Sequence, residues 1–329
     1  MALPNGEGQM EVVQSRFTTE QVPELSLADY LSGSSEARRQ FIEDLFRGLK
    51  YFGFIVLKDH PIDEDLLAHA YDLSQRLFAL PEERKRSYIC SAGAGQRGYT
   101  PFGREHAKDS KFPDLKEFWH VGRDFAPTSK FIDQYPANIW PEEFPDFKPV
   151  YQRLYESLDG VGRVILRALT EPLQLEANYF DKMVNQGNSI LRMLHYPPLA
   201  PDVDPNCIRA AAHEDINLIT ILVSASASGL QLKDRRGEWL PIETKANNLI
   251  VDAGDMLARI TNEVIPSTTH RVVNPEGPNL PRYSMPFFMH PNPDALLTCI
   301  PSCKGDGAKY PDILSEDFLQ QRLREIGLR

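Results

Sequence analysis

Cysteine is scarce in this sequence, and its spacing argues against a small zinc site. The 329 residues include four cysteines, Cys90, Cys207, Cys299 and Cys303. Only the last two lie close together, and they have no second pair with which to complete a zinc-binding set. Few, scattered cysteines are typical of a reducing compartment, so we expect free thiols in a cytoplasmic protein.

Long apolar runs and excess positive charge are also missing. No stretch of about 18 apolar residues occurs, which argues against a membrane span. Residues 1–17 are polar and lack the apolar core of a signal peptide. Lysine and arginine number 36 against 46 acidic residues, a formal net charge of −10, whereas nucleic-acid binding requires a basic surface. We therefore expect a small-molecule substrate, no nucleic acid and no membrane; the sequence carries no signal for the oligomeric state.

The first half of the chain mixes helical and strand patterns. One helix is predicted to begin after Ser34 and to end at Gly53, and a short buried strand follows at 54–57. Asp63 is predicted to begin a second helix. The clearest helix has apolar residues at helical spacing from Val150 to Leu169.

After residue 188 the pattern changes to short strands separated by turns. We expect residues 1–188 to form a mixed helix and strand region packed on a core made by residues 189–329, in one compact unit. Many short strands favour a sandwich or jelly roll. Residues 91–124 are predicted to form a long loop or hairpin, and a helix over 315–328 closes the chain. The predicted strands are Ile190–Tyr196, Ile216–Val223, Leu230–Leu232, Leu249–Val251, Met256–Ile260, Thr268–Val273 and Tyr283–His290.

The motif with the most chemical content is His213-Glu214-Asp215. If a strand begins here, residues i and i+2 point to the same face, so His213 and Asp215 can reach one ion. His270 lies in a second strand pattern and supplies another imidazole. Two imidazoles and one carboxylate with open positions form the facial triad of non-haem iron(II) oxygenases. A His-x-Asp pair alone arises by chance, so the hypothesis depends on its combination with His270 and the residues that follow.

Arg282-Tyr283-Ser284 comes soon after His270 and predicts a carboxylate-binding pair. A guanidinium can hold a carboxylate through two parallel hydrogen bonds, and a hydroxyl beside it adds a third donor. A surface ion pair is the alternative for Arg282, but the next residues are apolar and indicate a buried strand. A buried arginine needs an anionic partner, and a ligand carboxylate would serve.

Together these motifs resemble the isopenicillin N synthase-like family of Fe(II)- and 2-oxoglutarate-dependent oxygenases. The matched pieces run through nearly the whole chain. The resemblance implies a mainly β fold with flanking helices, whose core is a double-stranded β-helix, or jelly roll. The pieces are Phe52-Gly53-Phe54, His60, Gly98-Tyr99, Tyr196-Pro197-Pro198, His213-Glu214-Asp215, Gly254-Asp255, residues 267–272 and Arg282-Tyr283-Ser284.

The resemblance also implies a bound metal and two co-substrates, 2-oxoglutarate and O2. Arg282 and Ser284 would bind the distal carboxylate of 2-oxoglutarate, and Tyr196 would add a hydrogen bond from its phenol. Many relatives carry Asn two positions before this tyrosine, whereas this chain has Leu194, so one amide contact is missing. The implied Fe(II) ligands, which are then the catalytic residues, are His213, Asp215 and His270.

The implied activity is oxidation of an unactivated C–H bond in a small organic substrate. Hydroxylation, desaturation and cyclisation all fit, with succinate and carbon dioxide as co-products. One alternative is an Fe(II) oxidase of the same fold without 2-oxoglutarate, in which Arg282 and Ser284 hold the substrate's own carboxylate. A second alternative is a non-catalytic jelly-roll binding module or a zinc site.

Four residues are candidates for contact with the substrate. Arg97, Tyr99 and Arg104 lie in the glycine-rich segment that the resemblance places near the active-site mouth. Either arginine could neutralise a substrate carboxylate, or it could pair with an acidic residue nearby. Phe287 could line the cavity or belong to the core.

Overall fold

The computed structural model describes residues 18–90, 95–104, 114–204, 206–223 and 225–325. No helix within these ranges is long and apolar enough to cross a membrane. The helices are α1 (Leu27–Leu31), α2 (Ser35–Phe52), α3 (Glu64–Phe78), α4 (Glu82–Arg86), α5 (Phe147–Thr170), α6 (Tyr179–Val184), α7 (Asp255–Ile260) and α8 (Ser315–Glu325). The strands are β1 (Glu24–Ser26), β2 (Phe54–Lys58), β3 (Gly98–Thr100), β4 (Glu117–Gly122), β5 (Ile190–Tyr196), β6 (Ala210–His213), β7 (Ile219–Val223), β8 (Leu230–Lys233), β9 (Trp239–Pro241), β10 (Leu249–Ala253), β11 (His270–Val272), β12 (Arg282–Met289), β13 (Leu296–Leu297) and β14 (Ile313–Leu314).

Two sheets form the sandwich of a jelly roll. The eight-stranded sheet has the order β1-β2-β10-β7-β12-β5-β4-β3, and the four-stranded sheet has the order β6-β11-β8-β9. Apolar side chains from both sheets meet in a cluster that we call the interior core. The predicted jelly-roll fold with flanking helices is confirmed. The interior core comprises Phe52, Phe54, Val56, Phe118, Leu194, Tyr196, Ala210, Leu230, Leu232, Ile242, Ile250 and Val272.

The eight-stranded sheet uses its two faces differently. On β12, Arg282 and Ser284 lie opposite Tyr196 and Leu194, which belong to the interior core. The residues at odd-numbered positions of β12, such as Phe287, belong to the helix-side core. We use this name for the larger apolar cluster that packs this sheet against α2, α3 and α5. Because side chains alternate along a strand, position on β12 decides whether a residue faces the other sheet or the helices.

Local sequence signals end the long helices as predicted. Ser34 caps α2 by accepting a hydrogen bond from the amide of Ala37 at 3.2 Å, and Gly53 ends this helix with a φ of 70°. Asp63 caps α3 in the same way. The 24 residues of α5 pack one apolar side against the outer face of the eight-stranded sheet.

Strands from both sides of residue 188 share one sheet. β1 to β4 come from the first part of the chain and lie in the eight-stranded sheet with β5, β7, β10 and β12. β3 and β4 pair in antiparallel fashion, so the hairpin predicted for 91–124 is present, although residues 105–113 lie outside the described ranges. This shared sheet supports one compact unit.

Two of the predicted strands need correction. Met256–Ile260 is part of helix α7, not a strand. Its residues are almost all buried, so the run shows neither strand nor helix periodicity, and a short apolar run does not distinguish the two. The strand predicted to begin at Ile216 begins at Ile219, because residues 216–218 form a bend. Asp215 therefore lies in the connection between β6 and β7.

Replacing Gly53 with alanine should destabilise the fold more than the same change at Gly103. Both glycines have positive φ, 70° and 74°, which costs an alanine roughly 1 kcal/mol. A Cβ at Gly53 would also collide with the Thr268 side chain, whereas nothing in the described ranges lies within 4 Å of a Cβ at Gly103. Urea unfolding should show a loss of about 2–4 kcal/mol for Gly53→Ala and of about 1 kcal/mol for Gly103→Ala. Equal losses would contradict the steric argument.

Candidate metal centre

The two imidazoles of the predicted metal site lie side by side on neighbouring strands. His213 ends β6, and His270 begins β11 directly opposite it. Their ring centroids are 4.4 Å apart. The register of the four-stranded sheet therefore brings together two residues that are distant in the sequence.

Asp215 completes the cluster from the turn after β6, not from a strand as predicted. Its Oδ1 lies 3.8 Å from Nε2 of His213 and 3.9 Å from Nε2 of His270. These separations exceed hydrogen-bond length, so the three atoms converge without bonding to one another. Asp215 and His270 are buried, whereas 34% of the His213 side chain is exposed. One ligand atom from each residue lies within 4.8 Å of the others, as a shared metal ion would require.

Backbone carbonyls set the tautomers of both histidines. Nδ1 of His213 lies 2.7 Å from the carbonyl oxygen of Ala211, and Nδ1 of His270 lies 3.1 Å from that of Thr268. A carbonyl only accepts, so each Nδ1 carries a hydrogen, and in the neutral ring Nε2 is then the atom whose lone pair faces Asp215. Burial, followed by the charge of His213, lowers the pKa of His270 well below its usual range. The neutral ring is the form that binds a metal.

The carboxylate of Asp215 is held from two sides. Thr220 on β7 donates a short hydrogen bond to Oδ2, and the Asn217 amide donates to the Thr220 hydroxyl at 2.9 Å. The backbone amide of Asp255, at the start of α7, donates to the Asp215 carbonyl at 2.7 Å. With Oδ2 occupied and the backbone fixed, Oδ1 is the oxygen presented to the histidines.

A second carboxyl group, that of Asp252, lies on the same interior face. Asp252 on β10 is the cross-strand partner of Thr220. Burial raises the pKa of Asp252, and the charge of Asp215 raises it further. The neutral acid is therefore favoured at this position, which leaves Asp215 as the carboxylate that faces the histidines.

Arg282 and Ser284 begin β12 and lie side by side on its interior face. Arg282 is 1% exposed, and its Nε donates to the carbonyl of Ala227 at 3.1 Å. Its Nη1 donates to the Ser284 hydroxyl at 3.3 Å, and its Cζ lies 5.1 Å from the ring centre of Tyr196. No carboxylate in the described ranges forms an ion pair with Arg282. A buried guanidinium without a protein anion is suited to a ligand carboxylate.

Two cavities differ in their relation to these residues. One of about 380 Å³ is lined by Arg282 and by the apolar side chains of Leu222, Leu230 and Ile250. A larger cleft of about 820 Å³ lies outside the sandwich, between α7, α8 and the turn after β8. None of the three candidate metal ligands is among the lining residues of either cavity, but Arg282 lines the smaller one, so we assign the carboxylate site to the interior of the sandwich.

A third group of interior residues was missed from the sequence. Arg192 on β5 donates from Nε to Nε2 of His120 at 2.7 Å, and Nδ1 of His120 lies 2.8 Å from the Gly95 carbonyl. The Arg192 Cζ lies 4.1 Å from the ring centre of Phe118 and 5.1 Å from that of Phe288. We call Phe118, His120, Arg192 and Phe288 the arginine–aromatic cluster. Strand alternation could have found it, because Arg192 and Phe288 share faces with Tyr196 and Arg282.

Three of the predicted substrate residues lie elsewhere. Phe287 packs in the helix-side core, 5.0 Å from the Tyr155 ring, because odd positions of β12 face the helices. Tyr99 belongs to the same core and donates to Glu117. Arg97 is fully buried and donates to the side-chain oxygen of Asn188 at 3.0 Å. Phe287 thus follows the core alternative, and contact of Tyr99 and Arg97 with the substrate stays a prediction.

The predicted contact of Arg104 with the substrate stays a prediction. It is exposed at the end of the range 95–104. Two of its possible acidic partners, Glu105 and Asp109, lie outside the described residues.

Two family models match the chain. One describes the N-terminal part of a non-haem dioxygenase in morphine synthesis and matches residues 22–143. The other describes the 2OG-Fe(II) oxygenase superfamily and matches residues 187–291. The second range contains every residue of the candidate metal centre and of the arginine–serine pair.

Whole-chain comparisons agree with both models. A 2-oxoglutarate-Fe(II) type oxidoreductase of Emericella nidulans is 30% identical over 91% of this chain and 88% of its own length. A solved Caulobacter crescentus protein, described as of the 2OG-Fe(II) oxygenase family, is 42% identical with a TM-score of 0.84, covering 93% of this chain and 99% of that one. A Neurospora crassa protein solved with alpha-KG and thymine is 32% identical with a TM-score of 0.83, covering 92% and 96%.

The hydrogen bond from Thr220 should be needed for tight metal binding. Thr220→Val keeps the side-chain shape but removes the donor to Asp215, so we expect affinity for a divalent ion to fall by about 10- to 100-fold. Thr220→Ser keeps the hydroxyl and should bind close to the wild-type level. Calorimetric titration of the metal-free protein with Mn(II) measures both. Unchanged affinity in Thr220→Val would show that Asp215 is positioned without this bond.

Proposed function

Because this chain belongs to the 2OG-Fe(II) oxygenase superfamily and is an Fe(II)- and 2-oxoglutarate-dependent dioxygenase, we propose that it oxidises a C–H bond of a small organic molecule inside its β-sandwich. Fe(II), 2-oxoglutarate and O2 are the cofactor and co-substrates of the family. The observation that carries the proposal is the convergence of His213, Asp215 and His270 on one point of the interior face.

These three residues are the proposed Fe(II) ligands. Two neutral imidazoles and one carboxylate are the donor set that non-haem iron sites use, and the set leaves positions open for other ligands. The carbonyl partners of both Nδ1 atoms and the Thr220 bond to Asp215 orient the donor atoms in advance. When bound, Fe(II) with 2-oxoglutarate and O2 supplies the oxidising equivalents, and succinate and carbon dioxide are the co-products.

The proposed site for the distal carboxylate of 2-oxoglutarate is formed by Arg282, Ser284 and Tyr196. Arg282 is already fixed by Ala227 and Ser284, so little side-chain entropy is lost when a carboxylate binds. Leu222 and Ile250 line the same cavity, and apolar walls suit the methylene groups between the two ends of the co-substrate. Water is excluded from the buried guanidinium, which strengthens its attraction for the anion.

The arginine–aromatic cluster is the proposed substrate-binding region of the sandwich interior. Phe288 on β12 is the cross-strand partner of Thr220, which donates to the candidate metal ligand Asp215. Arg192, oriented by His120, would donate to a carbonyl or carboxylate oxygen of the substrate. The ring of Phe288 offers an apolar surface beside it, so a compact molecule with one acceptor group and one apolar part fits best.

One relative is consistent with a substrate of this size. The Neurospora crassa protein was solved with thymine and with 5-formyluracil, each together with alpha-KG. For this chain we propose a small ring or acid that carries an acceptor oxygen, oxidised by hydroxylation, desaturation or cyclisation. The oxidase alternative without 2-oxoglutarate and the non-catalytic alternative are not supported, because the relatives are named as 2-oxoglutarate-Fe(II) oxidoreductases.

Anaerobic spectroscopy tests the proposed metal and 2-oxoglutarate site. Addition of Fe(II) and then 2-oxoglutarate to the wild-type protein should produce a visible charge-transfer band. His270→Ala should abolish the band, whereas His69→Ala should keep it, because His69 lies on α3 with its side chain 43% exposed and paired with Asp146. A wild-type protein without such a band, and without succinate release in air, would overturn the proposal.

Substitution of Arg192 tests the proposed substrate end. Succinate release stimulated by small carboxylic acids, amino acids and cyclic amides identifies usable substrates. For these, Arg192→Leu should raise KM by about tenfold or more through loss of a charge-assisted hydrogen bond, with the Kd for 2-oxoglutarate unchanged. Arg271→Leu is the matched control, because Arg271 stacks on Trp239 in the four-stranded sheet. An equal effect of both variants would contradict a direct contact of Arg192 with the substrate.

A further inference from the structure

A second buried arginine lies close to Arg282. Arg209 immediately precedes β6 and is 2% exposed. Its Nη2 donates to the carbonyl oxygen of Leu280 at 2.6 Å, and Leu280 precedes Arg282 by two residues. The Arg209 side chain therefore crosses from the four-stranded sheet to the start of β12 in the eight-stranded sheet.

The backbone at Arg209 is tied down, so this crossing is a fixed feature. The Arg209 amide donates to the side-chain oxygen of Asn274 at 3.1 Å, and the amide nitrogen of Asn274 donates to the Cys207 carbonyl at 2.9 Å. Asn274 follows β11 and thus anchors the residues before β6 to the neighbouring strand. Arg209 is therefore held at two points, at its backbone amide and at the Nη2 of its guanidinium.

Neither buried guanidinium has an anionic partner in the described ranges. Nε of Arg209 is buried without a hydrogen-bond partner there. Burial lowers the pKa of Arg209, and the like charge of Arg282 lowers it further. By contrast, the buried Lys85 pairs with Glu117 at 2.6 Å, and the buried Lys116 pairs with Asp114 at 2.8 Å. Two neighbouring buried cations without a carboxylate are costly unless an anion binds between them.

Two neighbouring side chains on β5 determine which other donors such an anion would meet. Tyr196 lies directly opposite Arg282 on β5, and its phenol also interacts electrostatically with Arg209. Leu194, opposite Ser284, offers no hydrogen-bond donor. Besides Arg282, Ser284 and Tyr196, Arg209 therefore offers a further hydrogen-bond donor to an anion at this end of the interior.

We propose that Arg209 is a second carboxylate-binding residue of the co-substrate pocket, so that the distal carboxylate of 2-oxoglutarate is held between the guanidiniums of Arg209 and Arg282. This inference rests on the proposed function and adds a residue outside the Arg282–Ser284 pair. It also predicts selectivity for 2-oxoglutarate, because a 2-oxo acid without a distal carboxylate would leave both buried cations unpaired.

A comparison of two oxo acids tests the role of Arg209. The Mn(II)-loaded protein is titrated by calorimetry with 2-oxoglutarate and with 2-oxopentanoate, which has the same chain length but no distal carboxylate. Arg209→Met should weaken binding of 2-oxoglutarate by about 10- to 100-fold, the range for a lost charged hydrogen bond, and leave 2-oxopentanoate nearly unchanged. Arg209→Lys should recover part of the loss.

Arg259→Met is the matched control. The Nε of Arg259 also lacks a hydrogen-bond partner in the described ranges, but Arg259 lies on α7 at the outer cleft, where its Nη2 donates to the Pro311 carbonyl at 2.5 Å. This control variant should leave the ratio of the affinities for 2-oxoglutarate and 2-oxopentanoate unchanged. If Arg209→Met does not fold, Arg209→Lys and Arg209→Gln provide the same ratio.

The outcomes separate this inference from the proposed function. If Arg209→Met weakens the binding of both acids equally, or does not weaken the binding of 2-oxoglutarate, the proposed role of Arg209 is overturned. The proposed function still stands in that case, provided that the wild-type protein binds 2-oxoglutarate. Failure of the wild-type protein to bind 2-oxoglutarate would overturn both.

Discussion

The hydrogen bond between Thr220 and Asp215 is the contact on which the rest of the site depends. The two histidines belong to the four-stranded sheet, whereas Thr220 belongs to the eight-stranded sheet. Asp215 sits in the connection between the sheets, where no strand pairing fixes its side chain. Its position is therefore decided by Thr220, by Asn217 behind it and by the Asp255 amide at the start of α7. Through these bonds the packing of the sandwich sets the geometry of the metal ligands.

Strand alternation places the functional side chains on one face of a strand and the core-forming side chains on the other. The interior face of β12 carries Arg282 and Ser284 at one end and Phe288 near the other, while Met285 and Phe287 between them pack against the helices. One short strand thus supplies both the proposed carboxylate site and the proposed substrate surface. The apolar residues on its other face keep it in place against α5, so the polar residues are held by a rigid element.

Much of this arrangement could be predicted from the sequence, and the errors have physical causes. Capping residues and helical periodicity located α2, α3 and α5, and the i, i+2 spacing of Arg282 and Ser284 placed both on one face of β12. The prediction of secondary structure failed where contacts with the rest of the fold determine the backbone conformation. Residues 216–218 form a bend and α7 replaces a predicted strand, although both segments are apolar. Phe287 packs in the helix-side core, the alternative that alternation from Arg282 along β12 favours, whereas sequence alone does not give the face on which Tyr99 lies. β1, β6, β9, β13 and β14 were missed as strands because two to four residues carry little pattern.

The separation of the two matched regions has a consequence for how such proteins diverge. Phe118 and His120 lie on β4, within residues 22–143, whereas the candidate metal ligands and Arg282 lie within residues 187–291. The proposed substrate residues are divided between these stretches, because Arg192 and Phe288 lie in the second one with the candidate metal ligands. Mutations in the first stretch can therefore change the part of substrate recognition that Phe118 and His120 provide while the oxidising centre stays intact.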